Sequence, residues 1–544
     1  MPGELYRVLA ATANARPAAP AFTFLDARGQ PSTLTFSELF EAAEDIAGRI
    51  VTAGLQRRQG PLGILLARQQ DQILHYLGAL QAGVVPAILT PPNPKLNRDY
   101  YLRTTASVLQ RIGLVGLITD VDDLDTSLPC YAPGTLDGRS PHGRAVSVSN
   151  APMPDEASFL QFSSGTTGMK RGVLVTDRAV LAQLESYGSA LVLEDDDVIV
   201  SWLPLYHDMG FIACLNLPLY RGLHTVMLDP IEWVTRPARF LAAVSNYEGT
   251  LAWNPNFAYS FMAQRIRDAE MGGVDLSSLR GLVNCSEPVT HASEQQFLQR
   301  FSKHGLRSDV FMGCYAMAET TFALTHGDPA ADTLDPLGPS GVARRPGEEP
   351  YVGVGSALPG VELSVRNEKG YPLGDRVVGE FWVRSPFNFH GYYGDEVATA
   401  EVLADDWFRT GDLGYRLGDQ FYVTGRRKDV LIVGGVNVFP SDLEETAAEV
   451  EGVVPGRTAA FAVFDDRLQT ERIVLLAEFD SHVDDGQHDE TVVVLEIRQR
   501  VLASFQIANF HVQLLPPGWL VKSSSGKVAR LENRRKWLDR ETAG

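Results

Sequence analysis

Residues 163–173 read SSGTTGMKRGV and place four hydroxyl side chains and three glycines beside Lys170 and Arg171. Glycine lets the backbone approach a ligand closely. Successive N–H groups and hydroxyls then surround phosphate oxygens, with the two cations adding charge. The stretch is not a GxxxxGK[ST] phosphate loop, because no Lys-Ser/Thr pair follows its last glycine. A flexible surface linker has the same composition, so the tract alone leaves both readings open.

Four further stretches carry chemistry-bearing residues. SWLPLYHDMG sets His207 and Asp208 at a turn after an apolar strand, where His207 lines a cleft or packs as an ordinary hydrogen-bonded residue. FMGCYAMAETT puts an aromatic ring, Tyr315, four residues before a carboxylate, Glu319. A carboxylate beside phosphate is a usual holder of Mg²⁺; an exposed Glu at a helix start is the alternative. WFRTGDL holds Asp412 in a Gly-bracketed turn, able to accept from two ribose hydroxyls or to cap its own backbone. KSSSGKVAR offers Lys527 on small, flexible neighbours, either a mobile cation for a negative reacting centre or a solvated basic tail. No GxSxG elbow is present, so a serine nucleophile is not expected.

These residues need a scaffold, and the chain is long enough to supply one. Its 544 residues exceed the size of one domain, and 44% of them are apolar. The net charge of −19 opposes nonspecific binding to nucleic acid or an anionic membrane. Cys130, Cys214, Cys285 and Cys314 are widely spaced, which argues against a disulfide framework or structural zinc. The opening MPGELYRVLAATANARP lacks the pattern of a signal peptide, and no apolar run predicts a membrane span, so a cytoplasmic protein is expected. Apolar spacing predicts helices at 36–53, 69–82, 237–246 and 256–269. Strands are expected at 63–66, 83–89, 198–203, 225–228 and 279–285, an alternation that makes a mostly parallel sheet with covering helices. From about residue 350 the pattern turns to apolar–polar alternation with Gly and Asp turns, as in antiparallel strands. A last compact unit starts near Lys428, with a strand at 430–433, a helix at 441–449, strands at 459–464 and 473–479, and a helix at 490–503.

Taken together and in this order, the five stretches make the chain resemble the acyl-adenylate-forming superfamily of acyl-CoA synthetases, adenylation domains and luciferases. Within it, SWLPLYHDMG, WNPNFAYSF, NCSEPV, YAMAE, RTGDLG and VTGRRKDVLIV are most similar to fatty acyl-AMP ligases. The resemblance implies an α/β protein. A large N-terminal domain, 1–427, would have mixed sheets flanked by helices and a β-rich subdomain at about 350–427. A small mobile α+β domain would occupy 428–544. It further implies ATP and Mg²⁺ as cofactors. A carboxylic acid, presumed fatty by the resemblance, would become acyl-AMP with release of pyrophosphate. The thiol of a separate acyl or peptidyl carrier protein, or CoA, would then accept the acyl group.

Residue roles follow from the same resemblance. Ser163, Ser164, Gly165, Thr166, Thr167, Gly168 and Arg171 would cradle the β,γ-phosphates. Glu319 would bind Mg²⁺ and Thr320 the α-phosphate. Tyr315 would stack on adenine, with Ser286, Glu287 and Pro288 lining its pocket. Asp412 would take the ribose hydroxyls and Arg426 ribose or phosphate. Lys428 and Asp429 would be a hinge carrying Lys527 to the reacting carboxylate and α-phosphate. His207 would sit beside the acyl pocket, with Trp253, Asn254, Phe257 and Met317 as wall candidates.

The sequence departs from the family pattern at Lys170–Arg171, where Pro-Lys is usual, and at Ala316, where Gly is usual. Its GGVNVFP after the hinge resembles the CoA synthetases, which keeps an acyl-CoA ligase as the alternative, with a non-catalytic nucleotide- or acyl-binding module behind it. No phosphopantetheine attachment sequence of the Asp-Ser-Leu type follows, so the carrier is expected to be separate. Lys527→Ala is expected to cut adenylate formation by orders of magnitude and leave ATP binding largely intact, because its contacts belong to the transition state. Parallel exchange kinetics and ATP titration check this, and near-normal adenylation would refute the role.

Overall fold

The computed structural model describes residues 2–55, 60–92, 98–124, 126, 128–136, 138–139, 153–163, 171–328, 333–339, 350–427, 431–433, 436–438, 440–465, 470–480, 489–505, 507, 510–522 and 528–543. Two large sheets form its body. In the first, Phe311–Gly313, Gly281–Cys285, Leu251–Pro255, Val198–Ser201, His224–Leu228 and Pro20–Leu25 run parallel, with Pro31–Thr35 antiparallel at the edge. In the second, Leu62–Leu65 lies between Pro86–Ile88 and Gly116–Thr119, and Ala157–Phe162 pairs antiparallel with Gly172–Thr176. The expected alternation of strand and helix is present, with ends moved by one to four residues: the helices fall at Phe36–Thr52, Gln69–Gln81, Ala238–Asn246 and Asn256–Arg265. The first of these starts where it does because Thr35 accepts from the Glu38 N–H while Glu38 bonds back to Thr35, a capping box.

Central strands bury both faces. All six residues of Ala157–Phe162 and all five of Leu251–Pro255 are buried, as parallel or mixed sheets covered on both sides require. Each large apolar side chain so buried contributes roughly 1.5–3 kcal/mol. Trp202 and Trp233 stack with ring centroids 3.6 Å apart, and Tyr259, Phe297 and Phe311 meet edge to face.

The third sheet is antiparallel, as the alternation beyond residue 350 predicts: Glu362–Arg366, Gly379–Arg384, Trp407–Leu417 and Gln420–Arg426. Here one expectation is corrected. Asp412 lies within a long strand, not in a turn, and the positive φ of Gly411 (73°) kinks that strand beside it. The chain beyond residue 430 packs on its own core: Leu443, Ile473, Leu475, Ile497 and Val501 are fully buried together. Its strands Val453–Asp465, Thr470–Phe479 and Phe510–Leu515 form one sheet, flanked by helices Pro440–Ala448, Glu490–Phe505 and Arg530–Ala543.

Glu294, on the helix His291–Phe301, is buried with its Oε1 accepting from the Asn284 amide at 3.0 Å. Burial pushes its carboxyl up to about 7, against the opposing effect of that hydrogen bond. An unfolded Glu ionises near pH 4.3, so the folded chain binds the extra proton between roughly pH 4.3 and 7 and loses that stability as pH rises through this window. Glu294→Gln stays neutral and keeps the acceptor. Its thermal midpoint, read by scanning fluorimetry, is expected to exceed the parent's at pH 8 and nearly match it at pH 5.

Candidate active site

A cleft of about 3850 Å³ runs between the three sheets and the C-terminal unit, and most of the expected site residues among those described line it. Its floor carries a polar triad of two buried residues, Tyr315 and Asp412, and the part-exposed Arg426. Asp412 is 5% exposed. Its Oδ2 accepts from the Tyr315 hydroxyl at 2.7 Å and its Oδ1 from Arg426 Nε at 2.8 Å. Asp412 and Arg426 are partners in the strand register. Each carboxylate oxygen keeps a second lone pair for a ligand hydroxyl. Burial, and next the Asp412 charge, push the Tyr315 phenol well above its ordinary range.

A second cluster surrounds Glu319. The Tyr392 hydroxyl donates to Glu319 Oε1 at 2.8 Å, and the Arg171 guanidinium lies 5.0 Å above the Tyr392 ring. Arg171 Nε also sits 3.9 Å from Asp395. Burial raises the Glu319 carboxyl, the Tyr392 bond opposes this, and the charge of Asp208 adds to the rise. The turn that presents Glu319 is pinned from beneath: Gln161 Nε2 donates to the carbonyls of Ala318 and Thr321 at 2.8 and 2.9 Å. Neither Gln161 nor Tyr392 stands in a stretch whose spacing marks it; both are found only through their contacts.

Ser163 and Arg171 close the base of a hairpin, with the Ser163 N–H donating to the Arg171 carbonyl at 3.1 Å. Both line the cleft. Ser164, Gly165, Thr166, Thr167 and Gly168 lie outside the described residues, as do Lys428, Asp429 and Lys527. Ser286, Glu287 and Pro288 form a cleft edge in which Ser286 holds a φ of 71° and the Glu287 carboxylate accepts the Phe257 N–H at 3.0 Å.

His207 lines the cleft, and its Nδ1 is 3.9 Å from Asp208 Oδ1. Asp208 caps the π-helix Met209–Asn216, a wide turn of the sort found at functional sites, by accepting the Met209 N–H at 2.8 Å. Only glycine fits at 210, because a Cβ there would lie 2.5 Å from the Pro204 carbonyl oxygen. The C-terminal unit adds Lys522, whose amine burial pushes down to about 8.

Three expected residues are not at the cleft. Thr320 is fully buried, and its hydroxyl donates to the Met317 and Phe322 carbonyls at 3.2 Å, so it holds the turn and faces no ligand. Trp253 and Asn254 are also fully buried. The Trp253 indole donates to the Tyr187 hydroxyl at 2.8 Å, and Asn254 accepts from Trp202 at 2.7 Å. Both faces of their strand are covered, which leaves neither side chain a path to the cleft. Phe257 and Met317 do line it, joined by Trp202, Trp233 and Phe261.

Among the described residues no group of three or more His, Cys, Asp or Glu could by itself hold a metal ion. A single carboxylate completed by phosphate oxygens and water is the donor set Mg²⁺ accepts, and Glu319 offers that.

Arg171, the Glu319 carboxylate and the Tyr315–Asp412–Arg426 cluster share one cleft, in a fold that matches adenylate-forming enzymes. The chain belongs to the AMP-binding enzyme family, whose model matches residues 9–393. It is 29% identical to the long-chain-fatty-acid–AMP ligase FadD26 of Mycobacterium marinum, over 95% of this chain and 94% of that one. A solved structure from a study of fatty acyl-adenylate ligases of E. coli and L. pneumophila superposes with a TM-score of 0.86 at 28% identity, covering 100% and 99% of the two chains. A fatty acyl-adenylate ligase of L. pneumophila, solved with acyl adenylate and pyrophosphate, is 26% identical with a TM-score of 0.72, covering 98% and 96%.

Tyr392→Phe keeps the ring under Arg171 and deletes the donor to Glu319. Losing one hydrogen bond to a charged group is expected to lower kcat/KM for ATP on the order of tenfold. The Mg²⁺ concentration for half-maximal rate should rise with it. Pyrophosphate exchange across a Mg²⁺ titration reads both, and an unchanged Mg²⁺ dependence would remove Tyr392 from the site.

Proposed function

We propose that this protein activates a fatty acid with ATP to acyl-AMP and passes the acyl group to the phosphopantetheine thiol of a separate carrier protein. The observation that carries this reading is the joining, in one cleft, of the Tyr315–Asp412–Arg426 clamp to an arm walled by Trp202, Trp233, Phe257 and Phe261. The clamp suits a nucleoside and the aromatic arm suits an alkyl chain. The printed names of the relatives, fatty-acid–AMP and fatty acyl-adenylate ligases, agree in substrate class.

In this reading a substrate carboxylate oxygen attacks the α-phosphorus of ATP, the α–β bridge bond breaks, and pyrophosphate leaves. Such a reaction needs in-line positioning and charge neutralisation more than a protein nucleophile. Asp412 takes the ribose hydroxyls on its free lone pairs, and Tyr315 lies against adenine. Ser163 and Arg171, with Ser164, Gly165, Thr166, Thr167 and Gly168, would cradle the β,γ-phosphates. Glu319 would hold Mg²⁺, which when bound offsets phosphate charge. His207, which lines the cleft, would border the reacting carboxylate, and Lys527 would meet it in the adenylation transition state.

Residues 1–427 and 428–544 would be separate domains, the first with its β-rich subdomain at about 350–427. Lys428–Asp429 would be the hinge that exchanges the two half-reactions. The separate core beyond residue 430 supports that division. A cytoplasmic place belongs to this reading; no described helix is long and apolar enough to cross a membrane.

Acid-dependent ATP–pyrophosphate exchange over fatty, aryl and amino acids tests the first half-reaction. Exchange is expected with fatty acids, and exchange with amino acids alone would overturn the substrate class. Acyl transfer to a phosphopantetheinylated carrier protein should outpace transfer to CoA. Equal rates would make the protein an acyl-CoA ligase.

A further inference from the structure

The nucleoside clamp is itself held by a carboxylate that no motif marks. Glu380, on the strand Gly379–Arg384, is 5% exposed and lies beside the kink at Gly411. Its Oε1 accepts the Gly411 N–H at 3.2 Å. Its Oε2 accepts from Arg409 Nη2 at 3.2 Å and from Arg427 Nη1 at 3.1 Å. The next residue, Phe381, offers its carbonyl to the Thr410 hydroxyl at 2.9 Å, and that hydroxyl in turn accepts the Asp412 N–H at 3.0 Å. Consecutive residues Glu380 and Phe381 therefore fix consecutive residues Thr410 and Gly411, immediately ahead of Asp412.

The opposite strand repeats the arrangement. Arg426 goes to Asp412 and Arg427 goes to Glu380, so two neighbouring arginines bridge two carboxylates. The pairing of this strand is irregular between Glu380 and Trp382. A bulge of this kind re-aims the side chains next to it, and the direction in which Asp412 points depends on the kink being held at one φ. A little-exposed carboxylate that accepts from three donors on two strands is held in one orientation, and it holds those donors in turn.

We propose that Glu380 is a positioning residue that aims Asp412 and Arg426 at the ribose, and so sets the enzyme's preference for a ribonucleotide. This rests on the reading of Asp412 as the ribose ligand. Glu380 touches no reacting atom itself. Its removal should therefore weaken what the clamp recognises, the ribose hydroxyls, and spare the part of binding that does not involve them.

The test compares kcat/KM for ATP and for 2′-deoxy-ATP in acid-dependent pyrophosphate exchange on the full chain. Glu380→Gln keeps the side-chain volume and loses the charge. With ATP it is expected to lose about tenfold in kcat/KM, carried by KM, and with 2′-deoxy-ATP about twofold, narrowing the ATP preference about fivefold. Arg427→Met, at a half-exposed position, should narrow the preference in the same direction by a smaller factor and covers the case in which Glu380→Gln folds poorly. Equal losses for the two nucleotides in both variants would overturn the proposal and leave Glu380 a purely structural carboxylate. Asp412→Asn separates the underlying reading: it should abolish the preference. If Asp412→Asn preserves the preference, the ribose assignment fails and the positioning role falls with it; if only the Glu380 and Arg427 variants preserve it, the positioning role alone fails.

Discussion

The buried Asp412 carboxylate is the constraint around which the site is arranged. A charge withdrawn from water is tolerated only with partners whose geometry is fixed. Asp412 has two, the Tyr315 hydroxyl from the first large sheet's end and Arg426 from the neighbouring antiparallel strand. Meeting both at once fixes the third sheet relative to the first. The same requirement brings Tyr315 to the cleft floor. Because carboxylate oxygens accept more than one hydrogen bond, the demand that stabilises the clamp still leaves each oxygen a further lone pair.

The Glu319 cluster obeys a parallel logic with a different mechanical base. Glu319 stands on a single tight turn whose base is closed by backbone bonds between Met317 and Phe322 and between Tyr315 and Leu324. Gln161 adds to these from beneath, donating from a buried strand to two carbonyls of that turn. Thr320 and Thr321 spend their hydroxyls on backbone carbonyls nearby. The turn is thus rigid before any ligand arrives, which is what preorganised electrostatic catalysis requires. Tyr392 then ties Glu319 to Arg171, so that carboxylate and that guanidinium share one hydrogen-bonded and stacked unit.

The C-terminal chain meets this rigid body as a separately cored unit. Its largest buried groups pack with one another around a three-stranded sheet, with Trp537 on one side and Ile497 on the other. Its apolar contacts are internal, so the unit carries a core of its own.

Through the resemblance the sequence pointed to Tyr315, Glu319, Asp412 and Arg171, which the fold gathers in one cleft; by itself it determined the family-bearing motifs, the alternating architecture of the first half and the antiparallel texture beyond residue 350. These are legible because periodicity and glycine placement are local properties of a chain. It did not determine which neighbours of a motif face the ligand. Trp253 and Asn254 sit in a motif-like stretch yet point into the core, because a strand covered on both faces leaves no side chain an open side. Thr320 stands next to Glu319 and turns away, since the tight turn needs its hydroxyl. Asp412 reads locally as a turn, and only pairing with strands on either side makes it part of a sheet. Gln161, Tyr392 and Glu380 reach the site across 157, 73 and 31 positions of chain, and residues brought together over such separations are chosen by packing and by the need to satisfy buried charge, which only the folded structure decides.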